Sequence, residues 1–157
     1  MQKLTTCLWF DTQGDAAARF YTPIFKNSKI NQISYYGEGG RGPKGSVITV
    51  TFELNGQDFM ALNGGPEYKF SPAISLVVNC DDQEEVDHYW EKLSAGGEKG
   101  PCGWLTDQFG VSWQIVPTIL GTLLSDDDAK KAANVMQVML QMKKLVIADL
   151  QAAYDRG

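Results

Sequence analysis

Two stretches decide the fold of this chain: FELNGQDFMAL at residues 52–62 and TDQFGVSWQIV at residues 106–116. In each, a run of β-forming residues passes through a turn that contains glycine into a second such run. Gly110 follows Gly56 by 54 residues, and Trp113 follows Phe59 by the same 54. A duplicated module is the simplest explanation of this internal repeat.

The repeat continues towards the N-terminus at a different spacing. Tyr89-Trp90 follows Phe20-Tyr21 by 69 residues, so the second copy is shorter between its helix and its hairpin. In that interval the first copy carries the glycine-rich stretch 37–45. We interpret this stretch as a flexible hairpin loop, because it leads into a strand and not into a helix.

Hydrophobic periodicity predicts a strand, a helix and further strands in each copy. The first copy has a strand at 4–10, a helix at 15–25 and an alternating strand at 46–54. The second copy has a strand at 74–79 and a helix at 82–95. In strand 46–54, one face collects the apolar side chains Ile48, Val50, Phe52 and Leu54. Trp104 and Trp113 of the second copy are predicted to pack against the helices.

The segment after Pro117 has a different composition. Residues 125–128, Ser-Asp-Asp-Asp, suit a helix start, and helix formers follow. The apolar stripe shifts phase near Gln141-Met142, which predicts one bent helix or two short ones. We therefore expect one compact domain with a first module at 1–66, a second module at 73–117 and a helical tail at 125–157.

Composition excludes several classes of function. The chain has 157 residues and a net charge of −5, whereas nucleic-acid binding normally needs a basic surface. It has no apolar run of membrane-spanning length and no signal-peptide pattern at its start, so we expect no membrane association and a cytoplasmic location. Cys7, Cys80 and Cys102 lack zinc-site spacing, and reduced thiols are expected.

The duplicated βαβββ pattern resembles the vicinal oxygen chelate superfamily of glyoxalases, dioxygenases and fosfomycin-resistance proteins. Within it, the chain is similar to the PhnB-like group, also labelled demethylubiquinone methyltransferase-like. Four stretches of residues 1–117 carry the resemblance: LWFD at 8–11, ARFY at 18–21, ALNGGP at 61–66 and CGWLTDQFGVSWQIVP at 102–117. The tail stretch VMLQMKK at 138–144 also resembles the C-terminal helix of that group.

The resemblance implies an α+β fold in which two tandem βαβββ modules form a curved mixed sheet around a cavity, with helices on its convex side. It also implies that such proteins are often homodimers. The apolar face of the tail needs a covering surface, which is either this chain's own sheet or a second subunit. We expect a small-molecule ligand in the cavity and a homodimer.

The same resemblance allows a test for a metal site. Metal-dependent relatives take ligands from the first and last strands of each module, which correspond here to about Thr6, Met60, Ser75 and Gln114. None is a histidine or a carboxylate, the usual ligands of such ions. The single histidine, His88, lies on a predicted helix flank. We expect no metal and no other cofactor.

The semi-polar strand faces predict the lining of the cavity. The expected ligand-binding residues are Thr6, Leu8, Thr49, Thr51, Met60, Ser75, Asn79, Leu105, Ser112 and Gln114. Gln114 is the strongest candidate for ligand contact, since an amide can orient a carbonyl or hydroxyl group, although a strand glutamine satisfied by its neighbours is equally consistent. Glu53 and Asp107 are weak candidates for a general base; Asp107 is alternatively a turn-forming residue.

Three hypotheses follow. The first is a small-molecule binding protein or a metal-independent enzyme of the glyoxalase-like superfamily. The second is a non-catalytic structural or regulatory dimer that associates through its tail. The third is the methyltransferase of the family label, although the glycine-rich stretch 37–45 lacks the following helix of a usual nucleotide-binding turn.

Overall fold

The computed structural model describes residues 2–157, which divide into two compact units, one ending at Phe70 and the other beginning at Ser71. The first unit contains five elements: β1 (Thr6–Phe10), α1 (Gly14–Tyr21), β2 (Lys29–Tyr35), β3 (Val47–Leu54) and β4 (Gln57–Asn63). Its sheet has the order β1-β4-β3-β2, with β1 parallel to β4 and the other pairs antiparallel.

The second unit repeats this arrangement and adds three helices. Its module contains β5 (Ser75–Cys80), α2 (Gln83–Ser94), β6 (Glu98–Lys99), β7 (Trp104–Thr106) and β8 (Ser112–Pro117), with the sheet order β5-β8-β7-β6. The tail contains α3 (Ile119–Leu124), α4 (Ala129–Met139) and α5 (Ile147–Arg156). The predicted α+β fold of two βαβββ modules with a helical tail is confirmed.

The two β-turns of the repeat differ. Asn55 and Gly56 form a two-residue turn between β3 and β4 with φ values of 51° and 79°, as a turn of this length requires. In the second unit, five residues separate β7 from β8. The sequence repeat therefore preserves the strands and changes the turn.

The helix ends also refine the prediction. α1 stops at Tyr21, four residues earlier than predicted, and Pro23 follows in the connection. Asp82 caps α2 by accepting a hydrogen bond from the backbone N–H of Glu85. In the tail, Asp128 caps α4, and the predicted phase shift corresponds to the break between α4 and α5. Helix α3 was not predicted.

Each module packs its helix on one face of its sheet, which we call the helix face; the other is the open face. In the first unit, Tyr21 of α1 stacks on Phe52, which stacks on Phe59. In the second unit, Trp90 of α2 and Trp113 of β8 are both buried. The tail has its own buried cluster, formed by Leu120, Leu123, Val135, Leu145 and Leu150.

Candidate functional site

The open face of the first sheet is a set of short rows across the strands. One row places Trp9 beside Leu62 and Leu62 beside Thr49. The next row places Cys7 beside Met60 and Met60 beside Thr51. An apolar end near Trp9 thus grades into a semi-polar surface along the strands.

A β-bulge brings Ile48 to the apolar end of this face. The pairing of β2 with β3 shifts by one residue between Ser34 and Tyr35, so Ile48 is the extra residue on β3. Bulges re-aim side chains, and Ile48 lines a pocket with Trp9 and Leu62. The prediction that Ile48 continues the apolar face of Val50, Phe52 and Leu54 is therefore wrong: those three side chains are buried, whereas Ile48 is half-buried.

This pocket, which we call the Trp9 pocket, has a volume of about 400 Å³. That is within the size range of small-molecule sites. Its wall is mainly aromatic and aliphatic, and its rim carries one acidic and one basic side chain. The lining residues are Trp9, Tyr35, Tyr36, Gly37, Glu38, Gly40, Arg41, Ile48, Leu62 and Gly64.

The glycine-rich stretch between β2 and β3 forms one side of the pocket by wrapping around Tyr36. The Tyr36 hydroxyl donates a hydrogen bond to the carbonyl of Asn63, and the N–H of Gly45 donates to the carbonyl of Tyr36. A Cβ atom on Gly40 or Gly42 would lie 2.7 or 2.6 Å from the Tyr36 ring. The glycines are needed because the backbone passes so close to the ring.

The indole ring of Trp9 lines the pocket, and its N–H group makes a hydrogen bond outside the pocket wall. Its Nε1–H donates to the carbonyl of Gly65 at 2.9 Å, and Tyr68 packs edge-on against the ring at 5.0 Å between centroids. A Cβ on Gly64 would lie 2.4 Å from the indole. The stretch after β4 therefore fixes the orientation of Trp9.

Arg41 is the basic group at the rim. Its guanidinium carbon lies 5.8 Å from the centroid of the Trp9 ring, within cation–π range, and its Nη2 pairs with a carboxylate oxygen of Glu67 at 2.5 Å. Glu38, the acidic rim residue, pairs with Lys44 at 3.1 Å. Both rim charges therefore have opposite charges beside them.

A second pocket of about 470 Å³ shares Tyr36, Arg41 and Gly64 with the Trp9 pocket. Asp11 and Asp15 contribute two carboxylates to its lining. Asn63 also lines it; the side-chain oxygen of Asn63 accepts from the N–H of Gly14 at 2.7 Å, and its amide donates to the carbonyl of Val47. This second pocket is more polar than the first and is acidic.

The structure separates the predicted lining residues of the first module. Thr49, Thr51 and Met60 lie on the open face. Thr6 and Leu8 lie beside Phe59 and Ala61 on the helix face, so the prediction that they share a face with Met60 is wrong. The cause is a one-residue difference between the copies: Cys7 stands beside Met60 and Val77 beside Gln114, which is an offset of 70 where the helices have 69.

In the second module, four of the predicted residues share the open face. Ser75, Asn79, Ser112 and Gln114 lie there, and the Gln114 amide donates to the hydroxyl of Ser75 at 3.0 Å. Leu105 lies beside Trp113 on the helix face and is buried, so its predicted place in the lining is wrong. Trp104 lies beside Gln114, on the face opposite to the one predicted.

The two predicted carboxylates occupy different environments. Asp107 is 3% exposed, and its oxygens accept from the N–H groups of Phe109 and Val111 and from the indole N–H of Trp113 at 2.8 Å. This arrangement shapes the turn between β7 and β8. Glu53 lies on the open face of the first sheet, 3.6 Å from the Lys29 amine.

The positions that would supply metal ligands do not fit a metal. The open-face residues at the strand pairs are Cys7, Met60, Val77 and Gln114. One thiol, one thioether, one amide and one aliphatic side chain make no imidazole or carboxylate set. Across residues 2–157, no group of three His, Cys, Asp or Glu side chains could hold an ion.

The thiols differ in their surroundings. Burial raises the pKa of Cys80 to about 12, and Glu85, Asp81 and Asp82 add to the rise. Cys7 is exposed by surface area, yet partial desolvation by its neighbours still raises the pKa of its thiol. Neither thiol is activated as a nucleophile.

Sequence reasoning missed the residues that form the Trp9 pocket. Trp9, Tyr36 and Arg41 were not among the predicted site residues. The available signal was the run Gly39-Gly40-Arg41-Gly42, since one long charged side chain among glycines next to two tyrosines indicates a close backbone approach to a ring. The bulge at Ile48 has no such signal.

Comparisons with known proteins agree with this architecture. The model of the 3-demethylubiquinone-9 3-methyltransferase family matches residues 2–116. A putative 3-demethylubiquinone-9 3-methyltransferase, PhnB protein, from Bacillus cereus is 40% identical, with 74% of this chain and all of that chain covered and a TM-score of 0.67. No curated protein matches.

Two more distant structures share the fold. Protein PA1353 from Pseudomonas aeruginosa is 18% identical, with 74% of this chain and 98% of that chain covered and a TM-score of 0.62. The fosfomycin resistance protein FosX from Listeria monocytogenes is 18% identical, with coverages of 74% and 94% and a TM-score of 0.53. None of the helices in residues 2–157 is long and apolar enough to cross a bilayer.

The family match ends at residue 116, so α3, α4 and α5 lie beyond it. The match covers both βαβββ modules, including the strands that carry Trp9, Met60 and Gln114. With a family model spanning most of the chain and a relative of 40% identity covered over its full length, this chain belongs to the PhnB-like, 3-demethylubiquinone-9 3-methyltransferase family.

Proposed function

We propose that this protein binds a small organic molecule in the Trp9 pocket and does so without a metal. The observation that carries the proposal is the pocket itself: about 400 Å³, walled by Trp9, Tyr36, Ile48 and Leu62, with Arg41 at its rim. Binding sites for small molecules are typically concave and apolar with a few placed polar groups.

The open face extends this site along the sheet. Thr49 stands beside Leu62 and offers a hydroxyl next to the apolar wall. Thr51 and Met60 form the following row, and Glu53 lies one row further. We propose that these residues contact the part of a ligand that leaves the pocket. In the second module, we propose that Ser75, Asn79, Ser112 and Gln114 form a separate small-molecule contact surface of that unit.

A fluorescence titration with N-phenyl-1-naphthylamine, a neutral probe that brightens in apolar sites, tests the proposal. We expect saturable binding to the native protein. Ile48→Lys places a charge in the apolar wall and should weaken binding by at least about tenfold. Gln32→Lys, an exposed position beside Thr51 on the same sheet but outside the pocket and the proposed contacts, is the matched control and should change affinity less than about twofold.

The proposal fails if the native protein does not bind the probe, or if Ile48→Lys binds it as well as Gln32→Lys does. Circular dichroism and urea unfolding of both variants establish that each is folded before the titrations are compared. Because the two variants add the same charge to the same sheet, a difference between them reports the pocket.

A second candidate function is methyl transfer, which the family description favours. It requires a methyl donor such as S-adenosylmethionine. Isothermal titration calorimetry with S-adenosylmethionine tests it directly: saturable heat at one site per chain would support methyl transfer, and no heat at a concentration well above that of the protein would remove it.

We also propose that the chain forms a homodimer in the cytoplasm. Ile74, just before β5, is 77% exposed, and Val77 on this edge strand is 50% exposed, so both leave apolar surface near an edge that can accept another strand. The three free cysteines suit a reducing compartment. Light scattering after size-exclusion chromatography should give twice the 17.3 kDa chain mass, and Val77→Glu should lower it.

A further inference from the structure

We propose that the ligand of the Trp9 pocket is an organic anion whose acidic group displaces Glu67 from Arg41. This inference rests on the proposed function, since it names the chemical class that the same pocket takes. The ligand class is a flat apolar ring system carrying a carboxylate, sulfonate or phosphate group. When no ligand is bound, the carboxylate of Glu67 pairs with the guanidinium of Arg41.

The position of Arg41 supports the first part of the inference. The glycines that clasp Tyr36 hold its backbone at the rim, and its guanidinium lies over the Trp9 ring at 5.8 Å. A ligand ring in the pocket and an acidic group on that ring would therefore meet Trp9 and Arg41 together. Arginine is suited to such a group because its planar guanidinium binds carboxylate and phosphate in a bidentate manner.

The ion pair with Glu67 is of a kind that is easily exchanged. The side chains of Arg41 and Glu67 are 62% and 47% exposed, and the contact is made through Nη2 of the guanidinium. Exposed ion pairs contribute little to stability because water screens them and the side chains lose freedom. A guanidinium has five N–H donors, so one carboxylate oxygen leaves most of its binding capacity unused.

The surrounding charges place the anion in the Trp9 pocket and not in the neighbouring one. Asp11 and Asp15 line the neighbouring pocket and would repel an anion there. On the Trp9 side, the acidic residue is Glu38, which is paired with Lys44 at 3.1 Å. The charge of Arg41 is therefore best opposed by a ligand that approaches from the Trp9 side.

Two probes with the same ring body separate this inference from the proposed function. N-phenyl-1-naphthylamine is neutral, and 1-anilinonaphthalene-8-sulfonate adds a sulfonate to the same scaffold. In the native protein, we expect both to bind. Arg41→Gln should lower the affinity for the sulfonate probe by about fivefold or more. It should change the affinity for the neutral probe by less than about twofold.

Glu67→Gln tests the displacement. Removing the competing carboxylate should strengthen binding of the sulfonate probe about threefold, in keeping with the small energy of an exposed pair, and should not change the neutral probe. Glu38→Gln is the matched control, because it removes the same charge from the same rim without freeing Arg41. Glu38→Gln should change the affinity for the sulfonate probe less than Glu67→Gln does.

Each outcome has a distinct meaning. If the neutral probe binds and Arg41→Gln leaves the affinity for the sulfonate probe unchanged, the inference of an anionic ligand is overturned, and the proposed binding site in the Trp9 pocket is retained. If Glu38→Gln and Glu67→Gln have equal effects, general electrostatics explains the change and displacement is overturned. If neither probe binds the native protein, the proposed function itself fails. Unfolding curves of all three variants exclude loss of structure as the cause.

Discussion

The two units use the same βαβββ module and place their additional chain differently. In the first unit the extra residues lie inside the module, between β2 and β3, where they wrap around Tyr36 and close one side of the Trp9 pocket. In the second unit the extra residues follow the module as α3, α4 and α5. The insertion builds a pocket, and the extension builds a core.

In the second unit, hydrogen bonds to the tail hold the loop before β7 in place. The N–H groups of Cys102 and Gly103 donate to the carbonyls of Met142 and Lys143, both at 2.8 Å. The segment before β7 is thus held by the stretch between α4 and α5. The same module therefore differs in role between the two units according to where residues are added: inside the module they form a pocket, and after it they form a packed core.

The largest expected effect distinguishes Asp107 of the second unit from Glu53, the residue at the equivalent repeat position in the first unit. Asp107→Ala removes the acceptor for two backbone N–H groups and for the buried indole N–H of Trp113. We expect a loss of roughly 3 kcal/mol in the free energy of unfolding. Urea titration followed by circular dichroism measures it.

Glu53→Ala is the matched control for Asp107→Ala. Its carboxylate is half-buried on the open face and is paired with an exposed lysine, so the expected loss is within about 0.5 kcal/mol. Equal losses in the two variants would contradict the structural role that we assign to Asp107, and would show that the two carboxylates do the same work in both copies.

The second prediction concerns Gln83, which ties α2 to the tail. Its Nε2 donates to the carbonyl of Leu145, and its Oε1 accepts from the N–H of Ile147 at 2.7 Å. Gln83→Ala should lower the free energy of unfolding by roughly 1–2 kcal/mol, because the N–H of Ile147 begins a helix without another cap.

The control for Gln83 is Gln32→Ala in the first unit, an exposed strand residue. It should change the free energy of unfolding by less than about 0.5 kcal/mol. A Gln83→Ala protein as stable as the control would show that packing of Leu145 and Leu150, and not the polar clamp, holds the tail.

The smallest expected effect is electrostatic and depends on pH. Hydrogen bonds from Gln83 and then from Lys144 hold the pKa of Asp87 below its ordinary value of 3.8. The unfolded state therefore binds the proton more readily, so this contribution is present above pH 3.8 and is lost as the pH falls through the lower folded pKa. Because both partners are partly exposed, we expect less than about 1 kcal/mol.

Comparison of the native protein with Asp87→Asn across pH measures this contribution. The native protein should be the more stable at pH 7, and the difference should shrink only in acid, below the ordinary pKa of an aspartate. A difference that disappears between pH 5 and 7 would identify another titrating group as its source.

Much of the fold could be predicted because the strands repeat and alternate. The spacing of Gly56 and Gly110 identified the modules, and Asn55-Gly56 identified the tight turn. The face of β1 could not be predicted, because the copies differ by one residue between strand and helix and a one-residue slip moves every side chain to the other face. Thr6 and Leu8 were misplaced for this reason.

The candidate site could be predicted only in part. Thr49, Thr51 and Met60 followed from alternation, which is a local property. The Trp9 pocket depends on the wrapping of a loop around Tyr36, on a bulge at Ile48 and on the pairing of Arg41 with Glu67. These are contacts between residues that are distant in sequence, and periodicity does not report them.

The most direct test of the central claim is a titration of ¹⁵N-labelled protein with N-phenyl-1-naphthylamine, followed by two-dimensional NMR. The indole N–H resonances of Trp9 and Trp104 report the open faces of the first and second sheets. We predict that the Trp9 indole and the amides of Gly37, Gly40 and Gly64 shift while the Trp104 indole does not. Shifts confined to Trp104, or none at all, would contradict a binding site in the first unit.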